Sequence, residues 1–355
     1  MASSRAPGAE VLLQRRWPIT QVAFNTTGHA LAVVPERGNA QLWDASSREP
    51  VPSEPERHAS QRKRRQERRA RGDLDARHVE IAECVAFSPD GRTLAVGGYY
   101  SNNIGDPFPP VWVVSLRDAE TGAYLGEPFV DDAQMPIYAG HTDELTCIAF
   151  SPDGTVVATA SLDGTVRLWD VATGRPRGCS RVGGDEARAC AFSPDGRLLA
   201  VGDSEGPILD PEGRVEFWTP DTLSERGERL ECLSEAVHDL AFSPDGRALV
   251  TADGDGVQFW DVAAREPVGD PLPGPPARGL AFSPDGGILA TACEDGAIRL
   301  WDASGRRPLG GLLTGHDGPV NSVAFSADGR LLASAGDDGT ARLWNLPGLK
   351  DAGRR

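Results

Sequence analysis

Apolar and polar residues alternate with period two through Leu145–Phe150 (LTCIAF), the pattern of a strand with one buried face. Ser151-Pro152-Asp153-Gly154 follows. Its proline presets φ for a turn, its aspartate tolerates the next corner, and its glycine takes φ > 0 without a Cβ clash. Val156–Ala160 then reads as a second strand, rich in small and β-branched residues, and Asp163-Gly164 as a hairpin. Thr165–Trp169 alternates again, Asp170 opens a turn that Thr173-Gly174 completes, and a less regular fourth strand comes after. The pattern predicts four short antiparallel strands and contains no helical period.

The same phrase returns seven times, most fully as AFSPDG, an apolar pair, a DG turn and LWD, centred on Phe24, Phe87, Phe150, Phe192, Phe242, Phe282 and Phe325. The intervals are 63, 63, 42, 50, 40 and 43 residues. A unit of about 40 residues cannot bury its own apolar face, so neighbours must stack to build one core. The prediction is an all-β, seven-bladed β-propeller of four-stranded antiparallel blades, forming a single domain over residues 10–350. These residues resemble the WD-repeat family, through LWD at Leu168–Asp170 and Leu300–Asp302 and Gly-His at Gly140-His141 and Gly315-His316. The resemblance runs from about residue 10 to 348, and the regular AFSPDGRLLA phrasing resembles bacterial members.

Several units depart from the pattern. Asn25-Thr26-Thr27-Gly28 replaces SPDG in the first, Arg117 stands where the second should carry its strand tryptophan, and the fourth ends Phe217-Trp218-Thr219. They read as degenerate blades. Too few residues follow Trp344 for a convincing fourth strand, while Val11–Arg15 precede the first repeat with no blade of their own. In the family, chain ends commonly share the last blade. Residues 10–16 are therefore expected to pair with the third strand of the seventh repeat and close the ring without an open seam.

The resemblance also disposes of the most catalytic-looking residues. His141, Thr159, Asp163 and Trp169 combine histidine, hydroxyl and carboxylate, and His316, Ser334, Asp338 and Trp344 repeat them at the same offsets. In the family this tetrad is structural, giving each buried polar group a partner. Thr251 with Asp255, and Thr291 with Asp295, keep half of it. Gly202–Gly206 matches GxSxG, but that motif works on a strand-to-helix turn. Here a propeller strand precedes it and no helix is predicted after it, so Ser204 reads as chance. Asp253–Gly256 reads as a hairpin, not a calcium loop. No catalytic residue, metal cluster or cofactor motif is predicted. The six cysteines show no metal spacing, and with no apolar h-region or membrane-length apolar run a reduced, cytoplasmic location is expected.

Function is then sought in what the repeat does not require. Four insertions stand out: residues 52–77, 99–110, 131–139 and 203–213. The last three follow or precede consecutive blades on one rim. They offer Tyr99, Tyr100, Ile104, Phe108, Met135 and Tyr138 among carboxylates such as Asp106, Asp131, Asp203 and Glu205, a composition suited to an interface. The bland alternative is that these loops pack on one another and cap the blades. Residues 57–71 hold eight Arg/Lys against one glutamate, a formal +7 in a chain of −16. Arg62, Lys63, Arg64, Arg65, Arg68, Arg69 and Arg71 are candidates for contacting nucleic acid or an anionic surface. The reading preferred over such contacts is a solvated loop, or one folded back on the acidic body. The leading expectation is a non-enzymatic, monomeric scaffold or adaptor that binds another protein on the rim of blades 2–4. The alternatives are nucleic-acid binding through the basic insertion and a hydrolase with its site on the rim.

Overall fold

The structure is a computed structural model, and it describes residues 9–51, 79–101, 111–129, 140–205, 212–221, 223–225, 229–231 and 236–346. Its strands fall into seven antiparallel sheets whose innermost members touch in order from the first to the seventh and back to the first. This is a seven-bladed β-propeller. Strands are lettered a to d from the ring axis outward. Strand a runs Ile19–Phe24, Val79–Phe87, Leu145–Phe150, Glu186–Phe192, Asp239–Phe242, Ala277–Phe282 and Val320–Phe325 in blades 1 to 7. Blade 3 is the regular unit, continuing through Val156–Ser161, Thr165–Asp170 and Pro176–Arg181.

Not every blade is four full strands. Among the described residues blades 1 and 2 have three, completed by isolated bridges from Trp43 to Pro50, Val114 to Phe129 and Arg117 to Tyr124. Outer strands in blades 4 and 6 are split into two-residue pieces. Proline and glycine in these connections interrupt the ladder, which is why the fourth strand was the least regular part of the pattern.

The ring closes through its first strand. Ala9–Gln14 is strand d of blade 7 and pairs with Thr340–Asn345, from Ala9 opposite Trp344 to Gln14 opposite Thr340. Beyond it, the Arg15 amide donates to the Gly339 carbonyl at 2.7 Å. Gly339 has φ 71°, and a Cβ there would collide with the Arg15 carbonyl, so the strap lies where only glycine fits.

Neighbouring blades are latched along their innermost strands. In six blades strand a is bulged at the residue four before the repeat phenylalanine. Three of those bulged residues reach the next blade's backbone. Glu83 accepts the Leu145 N–H at 2.8 Å, Thr146 donates to the Ala187 carbonyl at 2.7 Å, and Asn321 donates to the Ile19 carbonyl at 3.0 Å. One residue further on, Gln21 accepts the Val85 N–H and Asp239 the Leu280 N–H, each at 2.7 Å. On the opposite mouth of the ring the SPDG turns interlock: Gly154 packs on Pro89, Gly196 on Pro152, Gly246 on Pro194 and Gly286 on Pro244. Between these two ends, alternate side chains form apolar clusters that each bridge adjacent blades, such as the one joining Leu168 and Ala160 to Val201 and Trp218.

Removing residues 1–16 takes away the whole closing strand and uncovers Leu343 and Trp344, which are 2 % and 1 % exposed. The melting temperature is expected to fall by roughly 5–10 °C, and Gly339→Ala to fall in the same direction. An unchanged thermal melt of the truncated protein would contradict this closure.

Candidate functional site

Blades 3 and 7 each assemble a buried chain of polar groups. The Trp169 indole N–H donates to the Thr159 hydroxyl at 3.0 Å, that hydroxyl lies 2.8 Å from His141 Nε2, and His141 Nδ1 lies 3.1 Å from Asp163. In blade 7 the distances are 2.8 Å from Trp344 to Ser334, 2.7 Å from Ser334 to His316 and 3.0 Å from His316 to Asp338. Each link needs the histidine neutral, with its proton on Nδ1. Burial pushes both histidine pKa values below the usual 6.5, against the pull of the aspartates. The order hydroxyl, imidazole, carboxylate is that of a nucleophilic triad. Yet Thr159 and Ser334 are fully buried and capped by an indole, so no substrate reaches the hydroxyl. The eight residues tie the end of strand c to the turn before strand a.

The remaining blades show what the hydroxyl controls. Blades 5 and 6 keep Trp260 on Thr251 at 2.9 Å and Trp301 on Thr291 at 3.2 Å. Asp295 is instead taken by Arg299, at 3.0 and 2.7 Å. In blades 1 and 4 the equivalent position is Val33 or Val201, and the indole N–H of Trp43 and of Trp218 is buried without an acceptor. Blade 2 has Val96 there and Arg117 in place of tryptophan. The guanidinium, 7 % exposed, finds the Ala40 carbonyl of blade 1 at 3.2 Å and the Tyr124 hydroxyl at 3.3 Å.

Blade 4 fills the missing histidine's place with carboxylates. Gly183 and Gly184 stand at its turn, and a Cβ on either would fall within 3 Å of Glu216 or Asp203 respectively. Glu216 accepts the Gly183 N–H at 2.9 Å and lies 3.1 Å from Arg229. Asp203 accepts the Gly184 N–H at 3.0 Å through Oδ2, while its buried Oδ1 has no hydrogen-bond partner. Asp203 was expected on the raised surface; it is 0 % exposed. Strand Leu199–Glu205 continues through this position between neighbouring blades and buries both its faces, Ser204 as well as Asp203. Burial first, and then Glu216, push its pKa up to about 6. Burial also lifts the inter-blade latches, Glu83 to about 7 and Asp239 to about 7.

The rim over blade 2 is raised. Its strands a and b have nine residues each, against six in blade 3, and the added residues lie at the rim end, a gain of roughly 10 Å. Tyr99 sits on this extension opposite Trp112, with ring centroids 6.1 Å apart. Tyr100 pairs through its backbone with Val111, and its side chain lies outside the described residues. Ile104, Phe108, Met135 and Tyr138 lie outside them too, as do Arg62, Lys63, Arg64, Arg65, Arg68, Arg69 and Arg71. Sequence reasoning missed Trp17, which is 39 % exposed at the entry to blade 1. The signal was available: it falls outside the tryptophan register of strand c.

Ser204 lies within strand Leu199–Glu205, 6 % exposed, 3.3 Å from Glu186 and 3.4 Å from the Arg188 guanidinium. That is a buried hydroxyl within a regular strand and not a strained elbow, and the carboxylate oxygen it meets is already held by Arg188 at 2.5 Å. In the Asp253–Gly256 hairpin the aspartate accepts the Asp255 and Gly256 N–H groups. Among the described residues no group of three or more His, Cys, Asp or Glu side chains is placed to hold a metal ion.

The WD domain, G-beta repeat family model matches residues 77–104, 134–170, 227–261, 271–302 and 307–345. These segments fall on blades 2, 3, 5, 6 and 7 and leave out 1 and 4, where valine replaces the tetrad hydroxyl. Relatives include Protein groucho of Drosophila melanogaster, 36 % identical over 115 residues, 26 % of this chain and 16 % of that protein. One chromatin assembly factor 1 subunit, from Gallus gallus, is 32 % identical over 108 residues, 28 % of this chain and 18 % of that protein. Ribosome biogenesis protein BOP1 of Rattus norvegicus is 49 % identical over 51 residues, 14 % of this chain and 7 % of that protein. The chain thus matches less than a fifth of the length of each.

The carboxylate pair in blade 4 carries a pH signature. Asp203 holds its proton more tightly when folded than at its ordinary 3.8, so the penalty for its charge is absent below about 3.8, builds as pH rises from there and is complete above about 6. Asp203→Asn keeps an acceptor for Gly184 and turns an N–H₂ toward Glu216. It is expected to raise the melting temperature by roughly 2–4 °C at pH 8, with the gain shrinking as pH falls below about 6 and gone below about 3.8. An equal or lower melt at pH 8 would reject this account. Seven interlocked blades, two complete Trp–hydroxyl–His–Asp tetrads and the matched repeats lead to one assignment: this chain belongs to the WD-repeat family.

Proposed function

We propose that the chain is a non-enzymatic interaction platform that holds a protein partner on the raised rim of blades 2–4. The observation that carries this reading is the extension of blade 2, which brings Tyr99 onto the rim against Trp112, itself half-buried on the core between blades 2 and 3. A rigid ring presenting aromatic side chains in a polar setting is suited to a docked protein. Two relatives named for chromatin assembly and ribosome biogenesis are in keeping with work inside an assembly. The surroundings of Ser204 weigh against a hydrolase. Free thiols at Cys84, Cys147, Cys190 and Cys293, with the Cys147 thiol donating to the Cys190 carbonyl at 3.3 Å, support a reducing, cytoplasmic setting as part of the proposal.

Alanine at Tyr99, Tyr100 and Phe108 together is expected to abolish capture of specific proteins from the native host while leaving the melt unchanged. Recovery of the same proteins with the triple variant would sink the rim assignment. Labelling of Ser204 by a fluorophosphonate probe would refute the non-enzyme reading. Loss of capture on replacing Arg62–Arg71 instead would move the site to the basic insertion.

A further inference from the structure

Trp17 is the one large aromatic left substantially exposed among the described residues, and its backbone is clamped from both sides. On one side the Glu36 amide of blade 1 donates to the Pro18 carbonyl at 2.9 Å. On the other, the turn at Gly339 of blade 7 packs beneath the Trp17 carbonyl. Two guanidiniums lie over the indole, Arg37 at 4.2 Å and Arg16 at 5.4 Å from the ring centroid. Both arginines are exposed. Neither has a carboxylate within ion-pair reach among the described residues. What sets this pair apart is that both guanidiniums lie over the same exposed indole, whereas Arg177 is held by Asp170 and Arg299 by Asp295.

Cation–π contact fixes the guanidinium planes against the ring but leaves their N–H donors open to a ligand. The turn that carries Arg37 also touches blade 2, because the Ala82 N–H donates to the Gly38 carbonyl at 2.9 Å and the adjacent Ile81 is the strand partner of Tyr99. An exposed indole and two donor forks, on a turn that abuts blade 2, make a surface for a segment that is acidic and apolar at once.

We propose that Arg16, Trp17 and Arg37 form the docking point for an acidic, apolar-containing peptide segment of a partner protein, with carboxylates on the guanidiniums and an apolar side chain on the indole. This rests on the rim reading and names the partner's chemistry. A nucleic acid fits less well. Two cations offer little to a polyanion that must also approach a body of net charge −16, with Glu36, Glu83 and Glu144 nearby. A short peptide places only a few charges, and places them locally.

The test is fluorescence anisotropy with a fluorescein-labelled peptide alternating glutamate and leucine, its glutamine-for-glutamate counterpart, and a short oligothymidylate. The full chain is expected to bind the acidic peptide, more weakly as salt rises. Arg16→Ala/Arg37→Ala should weaken binding by about tenfold, Trp17→Ala should weaken it as well, and both variants should melt as the parent does. Arg247→Ala, on an SPDG turn at the opposite mouth and 89 % exposed in its side chain, should bind normally. The inference falls if the acidic peptide does not bind, or if the glutamine peptide binds equally well. It also falls if the arginine pair can be removed without effect, or if oligothymidylate is preferred through the same arginines. A lowered melt with unchanged binding would assign the arginines to structure alone. Partner capture that needs Tyr99 but a peptide affinity that ignores Arg16 and Arg37 would overturn only this inference and leave the rim reading standing.

Discussion

Every other feature of this molecule depends on the pairing of Ala9–Gln14 with Thr340–Asn345. A blade is an open sheet, and seven open sheets arranged in an arc would leave an unpaired strand and two exposed apolar faces at the ends. Sharing one blade between the first and the last segments removes both. The first strand cannot be satisfied until the last repeat exists, so the inter-blade latches and interlocked turns stand in mutual register only once the ring is whole. The chain therefore resists sliding open at any single blade contact. That rigidity holds the strand ends of one rim at fixed separations with neither helix nor disulfide among the described residues.

A single hydroxyl then decides how each blade is tied. Where it is threonine or serine, the strand tryptophan has an acceptor, and in blades 3 and 7 a histidine and an aspartate extend the chain of donors. Where it is valine, the indole N–H is buried without a partner, at a cost of about 1–3 kcal/mol. Blade 2 resolves the conflict differently, since Arg117 carries donors on a longer arm and reaches across to Ala40 in blade 1. The apparent irregularities are thus one dependency read seven times.

Much of this was legible in the sequence because a propeller repeats its constraints. Period-two alternation, the SPDG and DG turns and the offsets from each phenylalanine placed strands a to c and both tetrads. The sharing of the last blade followed from an unassigned strand before the first repeat. What resisted were interactions between units. Nothing in the spacing showed that the Gly183-Gly184 turn admits two buried carboxylates, because a pair of glycines looks like a loop until the third dimension fills it. Asp203 was misread as a surface residue for the same reason. Trp17 escaped because its neighbours in space, Arg37 of blade 1 and the Gly339 turn of blade 7, are remote from it in the chain.

The formal charge of the chain also misrepresents its rim. Glu83, Asp203 and Asp239 all lie on or beside the inner strands of blades 2, 4 and 5, and burial lifts their pKa values to about 7, 6 and 7. Near neutral pH they are partly protonated, so this mouth is less negative than a count of carboxylates implies. The aspartates of the SPDG turns behave oppositely. Ser151 and the Thr155 amide hold Asp153 below its ordinary 3.8, and Ser193 and the Arg197 amide do the same for Asp195. Those turns stay fully charged on the other mouth. The ring is thereby polarised along its axis by burial rather than by composition. Exposed guanidiniums gain most at the end where the competing carboxylates are partly protonated.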